Sequence, residues 1–75
     1  MQIQIKLMGL LKSRSPAGGK LELADGSTIA DALQVLGIAA ESVQMCTVNG
    51  QLARDRSRIL LENDELSILP PVGGG

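Results

Sequence analysis

The sequence predicts an α+β domain of two layers, in which a mixed sheet of roughly four to five strands packs against one helix. Three observations support this class. Runs that alternate polar and apolar residues, typical of strands with one buried face, lie near both ends of the chain. A single apolar stripe with helical spacing lies between them, at 29–36. An Asn-Gly pair follows that stripe, and this pair strongly favours a hairpin.

The first two strands are predicted to form a hairpin with a long connection. Alternation over 2–8 predicts a strand with one buried face. The stretch 9–19 becomes rich in Ser, Gly and Pro towards its end and predicts a loop. Alternation returns at 20–23 and ends at the turn formed by 25–26. The buried residues of the first strand are expected to be Ile3, Ile5 and Leu7.

The helix is predicted to begin after Thr28, whose side chain can cap its N-terminus. Asp31 follows three residues later, as an acidic variant of the capping box. Gly37 supplies a left-handed C-cap. A helix of about nine residues is too short to be stable alone, so its apolar stripe must lie on the sheet. The stripe consists of Ile29, Ala32, Leu33 and Leu36.

The second half of the chain predicts three further strands. The β-rich run 43–48 ends in Asn49-Gly50, and 51–53 is the short return strand. The apolar segment 59–61 is expected to fill one end of the core. The last strand is 65–69. Its inward residues are expected to be Leu66 and Ile68.

Composition limits the function classes. Seventy-five residues make a single domain. With no histidine and only Cys46 as a thiol, neither a metal site nor an internal disulfide is expected. A net charge of −1 and the absence of aromatic residues argue against a nucleic-acid ligand. The alternating start 1–8 is typical of neither a signal peptide nor a membrane span, so we expect a reducing, cytoplasmic setting and no membrane contact.

The last six residues, 70–75, are expected to form an extended, flexible tail beyond a domain at 1–69. Pro70 and Pro71 favour an extended backbone. Because glycine has no Cβ, a Gly-Gly terminus can enter a narrow channel in another protein and present its α-carboxylate there. The alternative interpretation is a frayed end or a remnant of cloning.

The chain resembles the ThiS/MoaD sulfur-carrier proteins, which are ubiquitin-like β-grasp proteins of thiamin and molybdopterin biosynthesis. The resemblance covers nearly the whole chain. It rests on the order of elements, on the hairpin Val48-Asn49-Gly50 and on the turn Asn63-Asp64-Glu65. Its most specific part is the ending Pro70-Pro71-Val72-x-Gly74-Gly75.

The resemblance implies a function for the terminus. A ubiquitin-activating-type enzyme would use ATP to adenylate the carboxylate of Gly75, while the chain itself would bind no cofactor. A desulfurase-type or rhodanese-type sulfur donor would then convert the acyl-adenylate to a thiocarboxylate. That group would deliver sulfur on a large synthase subunit or another acceptor enzyme. Gly73 and Gly74 would give access to the partner's active site, and Val72 and Pro71 would bind beside them.

The ending is more similar to that of the molybdopterin synthase small subunit than to that of the thiamin carrier. The long first loop, with Leu10 and Leu11, points the same way, so molybdopterin is the favoured pathway. A ubiquitin-like modifier conjugated through Gly75 is an alternative function, because the same terminus serves both chemistries. A β-grasp interaction module with an inert tail is another.

The sheet face opposite the helix is a candidate docking surface, which we call the outer face. An exposed face with methionine and leucine side chains is typical of a binding surface, although scattered surface apolar residues are also common. Alternation places on it Met8, Met45, Thr47, Ser67 and Leu69.

Two further features have simple interpretations. Cys46 shares the inward face with Val48, so a core position is favoured over a sulfur-relay thiol. Arg54, Arg56 and Arg58 alternate and could meet an acidic partner, but acidic residues nearby favour a solvated surface that is neutralised locally.

Overall fold

The computed structural model describes residues 1–71. Within them one α-helix packs on a mixed five-stranded sheet of order β2-β1-β5-β3-β4. β1 runs parallel to β5, and the other neighbouring strands pair antiparallel. The predicted α+β class is therefore confirmed, with five strands. The elements are β1 (Gln2–Leu7), β2 (Lys20–Glu22), α1 (Ile29–Leu36), β3 (Met45–Val48), β4 (Gln51–Leu52) and β5 (Glu65–Leu69).

The core lies between α1 and one face of the sheet. The strand residues expected to face inward are all buried, and so is the whole helix stripe. Because β5 is the central strand, its two inward residues lie at the middle of this core. The buried residues predicted from the sequence are Ile3, Ile5, Leu7, Ile29, Ala32, Leu33, Leu36, Cys46, Val48, Leu66 and Ile68.

Both predicted caps of α1 are present. The Thr28 backbone N–H donates to Asp31 Oδ2 at 2.9 Å, and the Asp31 N–H donates to Thr28 Oγ1 at 3.2 Å. This capping box satisfies two N–H groups that the helix itself leaves without acceptors. At the other end Gly37 has φ +73°, the left-handed conformation that glycine adopts without a steric penalty.

The first connection is more ordered than the predicted loop. It forms two short 3-10 turns, Gly9–Arg14 and Ala17–Gly19. Gly9, at φ +55°, reverses the chain after β1, and the Leu11 N–H donates to the Met8 carbonyl at 3.1 Å. Leu11 is buried, and this apolar anchor keeps the connection against the body of the protein.

The third strand is shorter than predicted. β3 begins at Met45, because a 3-10 turn at Ala40–Ser42 precedes it and the Val43 N–H donates to the Ala40 carbonyl. Val43 is nevertheless buried, so its apolar character reflects packing and not strand pairing.

The segment 59–61 contributes less to the core than predicted. Only Leu60 is buried, whereas Ile59 and Leu61 are 56% and 66% exposed. Ile59 instead forms an isolated antiparallel bridge with Thr28. An apolar run of three residues in an irregular segment can direct only its middle side chain inward here.

Two turns at one end of the sheet are joined by side chains. The Asn49 amide Nδ2 donates to Asp64 Oδ1 at 2.9 Å, and the Glu65 N–H donates to Asn49 Oδ1 at 2.9 Å. Asp64 Oδ2 also accepts from the Leu61 N–H at 2.9 Å. Asn49 thus connects the β3–β4 hairpin to the start of β5, and we call this network the turn clasp.

Within residues 1–71, no helix is long and apolar enough to cross a membrane.

Candidate functional site

The tail begins at the centre of the sheet. β5 ends at Leu69, Pro70 is half-buried and Pro71 is exposed. The remaining predicted site residues, Val72, Gly73, Gly74 and Gly75, lie outside the described residues. The last described part of the chain therefore leaves the central strand, which is hydrogen-bonded on both sides.

The first connection packs against the start of the tail. A Cβ atom built on Gly9 would lie 3.1 Å from Pro70 Cγ, tighter than nine in ten real Cβ contacts, so one of the two groups would have to shift slightly. Gly9 also has φ +55°, so both the space and the backbone favour glycine. The sequence pattern did not predict this contact, because the two residues are far apart in the chain.

The outer face is a continuous surface across three strands. Met45 lies opposite Leu69 and Thr47 lies opposite Ser67 in the β3–β5 register. Met8 has extended backbone angles, φ −112° and ψ 156°, and its N–H donates to the Ile68 carbonyl at 3.2 Å. The structure thus brings the predicted docking residues together.

These docking residues are less exposed than predicted. Met8, Met45, Thr47 and Leu69 are half-buried, and Ser67 is buried at 9% exposure. The physical reason is that side chains of neighbouring strands shield one another on a flat sheet face, and Ser67 lies on the central strand. The prediction of a freely exposed face is therefore corrected to a shallow, partly shielded one.

Leu52 extends the outer face, although it is not among the residues predicted to lie there. It lies opposite Thr47 in the β3–β4 register and is 48% exposed. The signal was present in the sequence, because a two-residue hairpin at 49–50 fixes this register.

Next to Leu52, an open cleft of about 450 Å³ lies beside the edge of the sheet. Met45 belongs both to this cleft and to the outer face, so the two surfaces are continuous. Apolar residues and two arginines line it, and we call it the arginine cleft. Its lining residues are Gln44, Met45, Cys46, Leu52, Ala53, Arg54 and Arg56.

Cys46 is a core residue, as predicted. It is 1% exposed, and burial raises the pKa of its thiol, although the nearby Arg56 charge acts in the opposite direction. A buried thiol with a raised pKa has little thiolate character and is a poor nucleophile. This environment argues against a sulfur-relay role for Cys46.

Among residues 1–71, no group of three or more His, Cys, Asp or Glu side chains is placed to hold a metal ion.

Comparison with known proteins identifies the fold and a family. The ThiS family model matches residues 5–75. No curated protein matches the chain at a significant level. The crystal structure of SAMP1 from Haloferax volcanii aligns with a TM-score of 0.74 and 21% identity, covering 100% of both chains.

Two further solved structures are similar. A crystal structure of the H. volcanii small archaeal modifier protein 1 has a TM-score of 0.72 and 20% identity, covering 95% of this chain and 98% of that one. The complex of subunits 1 and 2 of molybdopterin-converting factor from Helicobacter pylori 26695 contains a chain with a TM-score of 0.64 and 20% identity, covering 100% of both chains. At these identities the likeness shows the fold, which is the ubiquitin-like β-grasp predicted from the sequence.

Proposed function

This chain belongs to the ThiS family, and on that premise we propose that it is a sulfur carrier whose C-terminal Gly75 is adenylated and converted to a thiocarboxylate. The observation that supports the proposal most directly is that the family match extends to residue 75 and so includes the Gly-Gly ending. Such a carrier needs a small folded body and a reachable carboxylate, and it needs no catalytic side chains of its own.

The proposed chemistry is confined to the terminal carboxylate. A carboxylate is a poor electrophile, and transfer of AMP from ATP by a ubiquitin-activating-type enzyme gives it a good leaving group. The persulfide of a desulfurase-type or rhodanese-type donor then attacks the acyl-adenylate and releases AMP, which gives an acyl disulfide. A thiol reductant cleaves the sulfur–sulfur bond of this acyl disulfide and leaves a thiocarboxylate on Gly75. Gly73 and Gly74 give the backbone freedom and small cross-section that a narrow active-site channel requires.

The favoured use of this sulfur is molybdopterin biosynthesis, with a large synthase subunit as the acceptor. The Pro70-Pro71-Val72-x-Gly74-Gly75 ending supports this choice, and so does the fold shared with a chain of the H. pylori molybdopterin-converting factor complex. The thiamin pathway and other sulfur pathways use the same chemistry at the terminal carboxylate. They differ from the molybdopterin pathway in the enzyme that accepts the sulfur.

The proposal is tested by incubating the purified protein, with Gly75 as its last residue, with the cognate adenylating enzyme, ATP and a sulfur donor. Intact mass spectrometry should show one oxygen replaced by sulfur, confined to the C-terminal peptide. Deletion of Gly75, or addition of one residue after it, should abolish conversion without lowering the melting temperature. Equal conversion of the untrimmed, extended protein would contradict the proposal.

A ubiquitin-like modifier is the second candidate function, and the fold shared with the H. volcanii small archaeal modifier protein 1 supports it. In that case Gly75 would form an isopeptide bond with a lysine of another protein. The last basic residue is Arg58, so trypsin would leave a branch of residues 59–75 on the modified lysine. Detection of that branch in digests of host protein would establish conjugation.

The inert-tail alternative predicts a different result. If the protein is only an interaction module, deletion of Gly75 in the host would leave its cellular function intact.

A further inference from the structure

The three arginines that follow β4 have no acidic partners in the described structure. Within residues 1–71, the only ion pairs within 4.0 Å join the amino group of Met1 to two carboxylates, one at the end of β2 and one shortly after it. These carboxylates belong to Glu22 and Asp25. Arg54 and Arg58 are exposed, and Arg56 is half-buried. The local neutralisation expected from the sequence is therefore not achieved by direct ion pairs.

Three acidic residues near these arginines in sequence accept other hydrogen bonds. Asp55 Oδ1 accepts from both the backbone and the hydroxyl of Ser57, at 2.9 and 2.6 Å. These bonds lower the pKa of Asp55 and keep its carboxylate directed at its own turn. Glu62 Oε1 accepts from the Gln2 N–H at 3.2 Å. Asp64 uses both carboxylate oxygens in the turn clasp.

Two of the three arginines line the arginine cleft, and no acidic residue among 1–71 lines it. Its apolar part includes Met45 and the half-exposed Leu52. The backbone of Arg56 is fixed to α1, because its carbonyl accepts a 2.9 Å hydrogen bond from the N–H of Ala30. The cleft thus combines an apolar surface with two arginines, and the backbone of Arg56 is anchored to α1.

We propose that the arginine cleft binds an acidic segment of the adenylating enzyme, with an apolar side chain of that segment on Met45 and Leu52 and its carboxylates on Arg54 and Arg56. The argument is charge complementarity: two arginines that line a cleft beside apolar residues match carboxylates that flank an apolar side chain. Continuity with the outer face through Met45 lets one partner cover both surfaces while the tail enters its active site. This inference rests on the proposed function, because that function supplies the partner.

The first experiment uses a synthetic probe and needs no enzyme. The 15N-labelled protein is titrated with the peptide acetyl-Asp-Glu-Leu-Asp-Glu-amide at low ionic strength. Amide shifts should be confined to the lining of the cleft and should diminish as salt is added, because exposed charges are screened. Arg54→Glu should weaken binding at least about tenfold. Arg58→Glu is the matched control, since Arg58 lies outside the cleft, and it should change binding less than about twofold.

Two control ligands complete the titration. One is the same peptide with lysines in place of its acidic residues, and the other is a short oligothymidylate. Neither should bind at the cleft. Equal shifts with the oligothymidylate would overturn the proposal in favour of a general anion site, and equal losses in Arg54→Glu and Arg58→Glu would overturn it in favour of nonspecific charge attraction.

The second experiment measures activation by the adenylating enzyme. Arg54→Glu should raise KM for the carrier at least about tenfold with kcat unchanged, and Arg58→Glu should change neither. Unchanged KM in Arg54→Glu, with a normally activated wild type, would overturn the cleft proposal alone. If the wild type itself is not activated, the proposed function fails, while the peptide titration still decides whether the cleft binds acidic segments.

Discussion

Asn49 and Asp64, fifteen positions apart in the chain, are joined by a 2.9 Å hydrogen bond from the side-chain amide to the carboxylate. Asn49 has φ +53°, a left-handed conformation that asparagine tolerates better than most residues. One side chain therefore meets two requirements, since it fits the hairpin turn and it holds the start of β5 against that turn.

We predict that Asn49→Gly lowers the free energy of unfolding by about 1–2 kcal/mol, because it keeps a residue suited to positive φ but removes the bonds of the turn clasp. Urea unfolding followed by far-UV circular dichroism is suitable, since the chain has no aromatic fluorophore. Asp64→Ala should cost a similar amount, and the double variant should cost less than the sum. Strict additivity would show that the clasp does not couple the two turns.

Leu33→Ala is expected to destabilise the protein by about 2–5 kcal/mol, because Leu33 is 4% exposed and its truncation leaves a cavity in the core. Val35→Ala is the control on the same helix, since Val35 is 60% exposed and should cost less than about 0.5 kcal/mol. A loss below that figure for Leu33→Ala would mean that the apolar stripe of α1 does not anchor the helix.

Much of the fold could be predicted from local sequence signals, namely the alternation of polar and apolar residues and the capping residues of the helix. Alternation identified the buried residues of β1 and β5, and Thr28, Asp31 and Gly37 fixed both ends of α1. The residues alone did not determine the strand order, because parallel pairing of β1 with β5 joins segments about as distant as the chain permits. The resemblance to a known family implied the β-grasp fold, and the structure gives the strand order.

Leu69→Asp tests the outer face. Leu69 is half-buried beside Met45, and a carboxylate there must lose water on docking without gaining a partner, so binding to the adenylating enzyme should weaken at least about tenfold. Leu61→Asp places the same charge at a residue that is 66% exposed and away from this face, and it should bind normally. The check is a binding titration beside a thermal melt; equal binding by Leu69→Asp would move the interface elsewhere.

Gly9→Ala should destabilise the protein more than Gly18→Ala does. Both residues have positive φ, +55° and +69°, so both variants incur about 1–2 kcal/mol of backbone strain. Only at Gly9 does the new Cβ meet Pro70, at 3.1 Å, whereas nothing lies within 4 Å at Gly18. Adding Pro70→Ala should remove the difference in melting temperature, and failure of that rescue would show that the contact is unimportant.

The buried thiol of Cys46 should make the folded protein less stable at alkaline pH. Burial raises the pKa of its thiol in the folded protein above the unfolded value of about 8.5, so folding favours the neutral thiol. That contribution is fully present below pH about 8.5 and is lost as the pH rises through the folded pKa. Unfolding free energies from pH 7 to 10 should therefore fall more steeply for the wild type than for Cys46→Ala. Parallel profiles would contradict this assignment.

The candidate site was predicted in outline and not in detail. The pattern placed Met8, Met45, Thr47 and Leu69 on one face, but it contained no measure of mutual shielding, so exposure was overestimated. The contact of Gly9 with Pro70 and the arginine cleft depend on segments that meet only after folding. Sequence proximity to Arg54 also did not show which hydrogen bonds the carboxylate of Asp55 accepts.

The central position of β5 has a mechanical consequence. A partner that draws the tail inward pulls along β5, and β1 lies parallel to it on one side while β3 lies antiparallel on the other. Since β1 follows one chain end and β5 precedes the other, a force applied between the two ends shears the parallel β1–β5 ladder lengthwise, so that its hydrogen bonds bear the load together instead of opening one after another. An edge strand could be peeled from the sheet one hydrogen bond at a time. The central strand instead transmits tension to the rest of the sheet, so the domain stays folded while its terminus is pulled.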